Sequence, residues 1–196
     1  MATEQEMTLE TVKAVIAAFA AIGGLTAAGL ALFNYRNAVR WKRAELASGH
    51  LKELTTNEEL VFACRALDWN GGLLVVPESL RPLLRGVDPA DVIEHSPSDL
   101  ARAMELDLSL QEMQKDPRLQ VYRTAIDSLL SWLSLARKAL DRDLYEPADI
   151  EPIAWWLLRI QEAPYLRDFM HAFGYQRDIE ALQHKFSAQM KAMAAK

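Results

Sequence analysis

Residues 14–33 read AVIAAFAAIGGLTAAGLALF, a run with no charged side chain and a single hydroxyl, Thr26. At 1.5 Å of rise per residue a helix of this length covers about 30 Å, the thickness of a bilayer's hydrocarbon core. Val15, Ile16, Phe19, Ile22, Leu25, Leu30, Leu32 and Phe33 are its strongly apolar members. Together they supply about −2 to −5 kcal/mol of insertion free energy. Ala and Gly make up most of the rest, so insertion is adequate rather than strong. The run predicts a transmembrane helix. Two alternatives compete with it. A cleaved signal peptide needs a basic start and a shorter apolar core, whereas Glu4, Glu6 and Glu10 precede this one. A buried helix of a water-soluble domain is compatible with so much Ala.

The flanks of the run give it a direction. Only Lys13 opposes the three N-terminal acids, while Arg36, Arg40, Lys42 and Arg43 follow with no acid before Glu45. The positive-inside bias then leaves residues 1–13 outside the cytoplasm and everything beyond the helix within it. Tyr35 and Trp41 fall at interfacial positions, and the four cations each add about 1 kcal/mol on an anionic leaflet. Tyr35, Arg36, Arg40, Trp41, Lys42 and Arg43 are the expected membrane-surface anchors.

Within the run, Ala20, Gly24 and Ala28 form one ridge at four-residue spacing, and Gly23, Ala27 and Ala31 form the next. Small residues on neighbouring ridges let helix backbones approach closely, which drives association where no hydrophobic effect acts between helices. Ala and Gly are also common in membrane helices generally. The paired ridges still favour a homo-oligomer.

Composition bounds the remainder. The chain has 196 residues, 51% hydrophobic and 25% charged, with a net charge of −5. It is too apolar for disorder and too acidic for a generic nucleic-acid coat, so direct nucleic-acid binding is not expected. One Cys excludes a disulfide framework and a Cys-based zinc site. The expected plan is 1–13 extracytoplasmic, 14–33 transmembrane, 34–55 juxtamembrane helix and 56–196 a cytoplasmic helical domain.

That domain is punctuated as helices. Thr56-x-x-Glu59 reads as a capping box opening a short helix through Leu67. Trp69-Asn70-Gly71-Gly72 makes a turn, and LLVV at 73–76 is a buried extended piece or a helix fragment. Asp88-Pro89, Ser96-Pro97 and Asp116-Pro117 each place a capping residue before a proline. From Asp116 to about Arg142, Tyr122, Ile126, Leu129, Leu130, Leu133, Ala136 and Leu140 keep helical spacing. Ala154, Trp155, Leu157 and Leu158 mark another helix. A turn from Pro164 ends at Gly174. Ile179, Leu182, Phe186, Met190 and Met193 form the stripe of one last helix, packing within the bundle or against a second copy. No stretch alternates long enough to build a sheet. The expected class is all-α: an N-terminal transmembrane helix extended into a cytoplasmic helical bundle.

Sites of chemistry are sparse. His50, His95, His171 and His184 form no metal-ligand spacing, and no phosphate loop, nucleophile elbow or calcium loop is present. Arg43…His50 and Arg177…His184 match the Arg-to-His spacing of HEPN ribonucleases. With 14 Arg and 4 His in the chain, chance supplies such spacings. Trp132, Trp155 and Trp156 read as core aromatics, Glu58-Glu59 as first-turn acids and Cys64 as a small core residue. No catalytic, cofactor or metal residue is assigned, and no cofactor is expected.

The run NYRNAVRWKRAELASGHLKEL (34–54), then Ala66-Leu67-Asp68-Trp69-Asn70, resembles a group of uncharacterised bacterial single-pass membrane proteins. Trp155-Trp156-Leu157-Leu158-Arg159, Pro164-Tyr165-Leu166-Arg167 and Phe173-Gly174-Tyr175 resemble the end of the same proteins. In plan, one anchor and a helical cytoplasmic domain, the chain is more distantly similar to the membrane accessory of type VI-B CRISPR systems. That resemblance implies the bacterial inner membrane, self-association and an accessory or pore-forming role in antiviral defence. A membrane-tethered scaffold that recruits a cytoplasmic protein partner is the alternative role, and a HEPN-like ribonuclease the second.

Overall fold

The structure, a computed structural model, describes residues 2–84 and 91–195, with side chains from Lys13 onward save that of Ala14. The side chains of Glu4, Glu6 and Glu10, and the Asp88-Pro89 pair altogether, lie outside what is described. The fold is all-α, 77% helical. The chain divides into two units, Met1–Ala44 and Glu45–Lys196.

Helix α1, Ala2–Thr56, carries the whole apolar run and continues through the juxtamembrane stretch without a break, as the absence of proline predicts. In the first unit its side chains are mostly exposed. Its last turns belong to the second unit, where Ala47 and Leu54 are core residues.

The second unit is built around α5, Pro117–Asp141. All seven expected apolar positions of this helix are buried, from Tyr122 to Leu140. It packs against α2 (Glu58–Asp68), α3 (Pro97–Ala103), α4 (Leu110–Lys115) and α8 (Gln176–Lys185). Helices α6 (Ile153–Glu162), α7 (Leu166–Ala172) and α9 (Ser187–Ala194) complete it. Ser96 caps α3 ahead of Pro97 as expected. Gly174, at φ +79°, ends α7. There the Tyr175 N–H donates to the Met170 carbonyl at 2.8 Å and the Gly174 N–H to that of His171 at 3.3 Å, the paired bonds of a Schellman turn.

Four local expectations are corrected. The cap of α2 is Asn57, whose Oδ1 accepts from the Glu59 and Leu60 N–H groups, because Thr56 still belongs to α1 and donates its hydroxyl to the Lys52 carbonyl. Asp116 stands at the start of α5 without capping it, its carboxylate taken by a two-pronged pair with Arg118 at 2.8 and 2.9 Å. A small antiparallel ribbon does form, β1 (Gly72–Val75) with β2 (Val92–His95), pairing Leu74 with Ile93. Each strand is four residues long, too short for alternation to register in the sequence. The last helix is two, broken at Phe186 so that α9 turns onto α6. The stripe Ile179, Leu182, Phe186 and Met190 is thereby buried within the bundle.

Candidate functional site

The first unit's site is the apolar part of α1. A membrane-length window of the helix has a mean hydropathy of 2.1 and none of it is buried. Phe19 is 71% exposed and Leu25 75%, values that core side chains never show. Among the described residues nothing buries this window, which counts against the buried-helix alternative. One helix near the N-terminus is thus long and apolar enough to span a membrane.

Its surface is sorted by size. At 3.6 residues per turn, Ala20, Gly23, Gly24, Ala27, Ala28 and Ala31 fall within about 140° of the circumference. Ile16 is the one bulky side chain inside that sector, and Val15, Phe19, Ile22, Leu25, Leu30, Leu32 and Phe33 all lie outside it, with Ala18, Ala21 and Gly29 among them. A Cβ added at Gly23 or Gly24 would meet nothing within 4 Å, so nothing in the chain's own packing requires these residues to be small. Thr26 donates its hydroxyl to the Ile22 carbonyl at 2.8 Å. Its polar atom is satisfied one turn back, as hydroxyls in apolar helices commonly are.

Beyond this segment, Tyr35 and Trp41 are 67% and 79% exposed, and Arg36, Arg40 and Lys42 are exposed with them. Arg43 is half-buried. All the expected membrane-facing residues therefore lie on one continuous helix.

In the second unit the sequence-marked residues are structural. Cys64 is buried, and burial, helped by Asp68, pushes its thiol up to about 12. That places it far from the thiolate needed for nucleophilic chemistry. Trp132 is core, while Trp155 and Trp156 are half-buried, with the Arg159 guanidinium 4.3 Å from the Trp155 ring. Glu59 does more than complement a helix terminus. Its carboxylate accepts from the hydroxyls of Ser79 and Ser128, tying the loop after β1 to α5.

The histidines separate. His184 and Arg177 are exposed on α8. His50 lies flat on the Trp132 indole with its Nε2 buried, a position from which it reaches no phosphodiester without moving. His95 is buried in a polar chain that the sequence did not reveal. Its Nε2 donates to the Trp69 carbonyl at 2.9 Å, which leaves Nδ1 to accept from the Tyr122 hydroxyl, also at 2.9 Å. This pair pins both ends of the β1–β2 segment to α5. Among the described residues no group of three His, Cys, Asp or Glu is arranged to hold a metal.

One open groove of about 340 Å³ is lined by Met113, Arg123, Asp127, Phe169 and Phe173. The Arg123 guanidinium sits 5.3 and 5.5 Å from the two phenyl rings, and Phe173 is half exposed. No family model matches the chain, and no curated protein or solved structure does either.

Proposed function

We propose that the protein is a single-pass membrane protein, N-terminus outside and helical domain in the cytoplasm, that self-associates through the small-residue sector of α1. The carrying observation is the apolar helix that its own chain leaves uncovered, with Gly23 and Gly24 in open space. An interior Gly costs a helix about 1 kcal/mol against Ala, and close approach of a second helix is the return for it. The basic run after the segment supports the orientation. On this reading the protein acts as an accessory or pore-forming effector in bacterial antiviral defence, a role supported by its resemblance in plan to such an accessory. A ring of these helices encloses a narrow, mostly apolar conduit that opens by wetting.

The test is particle size and permeability together. The detergent-solubilised full chain is expected to run as an oligomer, and Gly24→Leu with Ala28→Leu as a monomer. Cells expressing the wild type should lose membrane potential, read with a dye, and cells expressing the double variant should keep it. A monomeric wild type ends the self-association reading; an oligomer that never depolarises the cell ends the pore.

The second reading is a tethered scaffold. It is favoured by the groove beside Phe173 and by Leu106 and Leu110, 51% and 75% exposed on the neighbouring segment. It predicts an oligomer or monomer that leaves permeability unchanged and loses a specific partner when Phe173 is made polar.

A further inference from the structure

The last turns of α1 rest on α5 through His50 and Glu53, which both meet Trp132. The His50 ring stacks on the Trp132 indole, centroids 4.2 Å apart and planes within 10°, with the Tyr145 ring tilted at 5.9 Å. One turn further, the Glu53 carboxylate accepts the Trp132 indole N–H at 2.9 Å. Trp132 is therefore gripped on its face and at its edge by the same helix. Ala47 and Leu54, three residues before and four after His50, are the buried side chains that flank the grip, with Leu51 partly covered.

Within this contact, His50 Nε2 is buried and has no hydrogen-bond partner. A neutral ring can leave that nitrogen bare at modest cost. A protonated ring cannot: it puts an N–H donor and a positive charge where no acceptor waits, a far larger penalty. The groups facing the ring are few. Helix α1 brings Glu53, the segment after α5 brings the Tyr145 phenol, and α5 itself brings the uncharged Trp132. Glu53 favours the proton, but desolvation outweighs it, so the docked ring holds its proton less tightly than a free histidine.

We propose that His50 is a pH-sensitive latch, which when neutral locks the end of α1 onto α5 and when protonated releases it. The sign follows from linkage. The undocked ring takes up a proton near the usual value of 6.5, and the docked ring only at lower pH. Docking is therefore at full strength above that value and weakens as pH falls from there toward the docked ring's lowered value. The latch does not depend on the membrane reading being right.

Hydrogen exchange of the full chain in detergent tests it, with rates corrected for intrinsic pH dependence. Between pH 7.5 and pH 5, amide protection over residues 45–56 should fall about tenfold while α5 keeps its own. His50→Phe retains a flat ring on Trp132 and cannot titrate, so its protection should not change with pH. Glu53→Gln, which keeps an acceptor for the indole, should leave the wild-type response in place. Loss of the response in Glu53→Gln, or its persistence in His50→Phe, assigns it to another group and overturns the latch. If His50→Phe does not fold, the NMR titration of His50 in the wild type decides. A ring titrating at or above the ordinary histidine value, or protection of 45–56 that ignores its titration, overturns the proposal equally.

Discussion

The membrane-length part of α1 and the central helix α5 are both long and rich in apolar residues, yet they are built for different surroundings. In α5 the apolar residues recur every three or four positions and polar ones such as Gln120, Asp127 and Lys138 take the other side, so its stripe is covered by its own chain. In α1 the apolar residues go all the way round, and the helix is sorted by side-chain size instead of polarity. Among the described residues none of its apolar window is buried. Apolar content thus tells which solvent a helix prefers, whereas periodicity tells whether the chain itself supplies the partner.

The largest effects should come from placing the same charge in both helices. Leu25→Arg puts a cation near the middle of the membrane-length run, at a cost of about 3 kcal/mol if the run spans a bilayer. That consumes most of the modest insertion free energy of about −2 to −5 kcal/mol. The full chain should leave the alkali-washed membrane fraction while residues 45–196 stay resistant to limited proteolysis. Leu129→Arg buries an unpaired charge at a position with no exposure, several kcal/mol against a domain stability of about 5–15 kcal/mol. This variant should remain in membranes and become protease-sensitive. If the two variants exchange phenotypes, the assignment of solvents to the two helices is inverted.

This contrast also explains what could be read beforehand. The α1 run and the α5 stripe were legible because each signal extends over many residues: twenty without a charge, or seven apolar positions in phase. The β1–β2 ribbon was not, since four residues per strand cannot establish a period. Phe186 continued the stripe of Ile179 and Leu182 in phase, so the bend there left no trace in the spacing. The displaced cap at Asn57 was a matter of one residue, decided by α1 running to Thr56. Of the candidate site, the ridges and basic flank were visible as composition at fixed spacing. The His50–Trp132–Glu53 grip joins residues about eighty positions apart, and no local pattern announces a contact of that range.

Polar satisfaction sharpens the comparison at smaller cost. In α1 the one hydroxyl at depth is served by its own backbone, Thr26 to Ile22. In the bundle the Tyr122 hydroxyl serves a buried partner from a distant segment, His95 Nδ1. Tyr122→Phe should therefore destabilise the bundle by about 1–3 kcal/mol, because it leaves a buried acceptor unpaired. Thr26→Val should change the thermal midpoint little, since the Ile22 carbonyl that accepts the hydroxyl keeps its backbone bond within the helix. Thermal unfolding of the full chain in detergent compares the two directly. Equal midpoints would mean that His95 finds a substitute partner and that the pin on the β1–β2 segment is weaker than its geometry.

Glycine gives the finest comparison, because one substitution should act with opposite sign at two positions. Gly49 lies inside α1 with nothing within 4 Å of an added Cβ. Ala there costs no contact and restricts the unfolded chain, so Gly49→Ala should stabilise by up to about 1 kcal/mol. Gly174 likewise has open space around it, but its φ is +79°. An L side chain at such a φ costs about 1–2 kcal/mol, which offsets the same unfolded-state gain and more. Gly174→Ala should then destabilise, through conformation alone. For a chain of this size 1 kcal/mol moves the thermal midpoint by about 2–4 °C, so the two variants should bracket the wild type. A midpoint raised by both would show that the turn after α7 does not need its left-handed residue and that the Schellman bonds at Met170 and His171 are not what ends that helix.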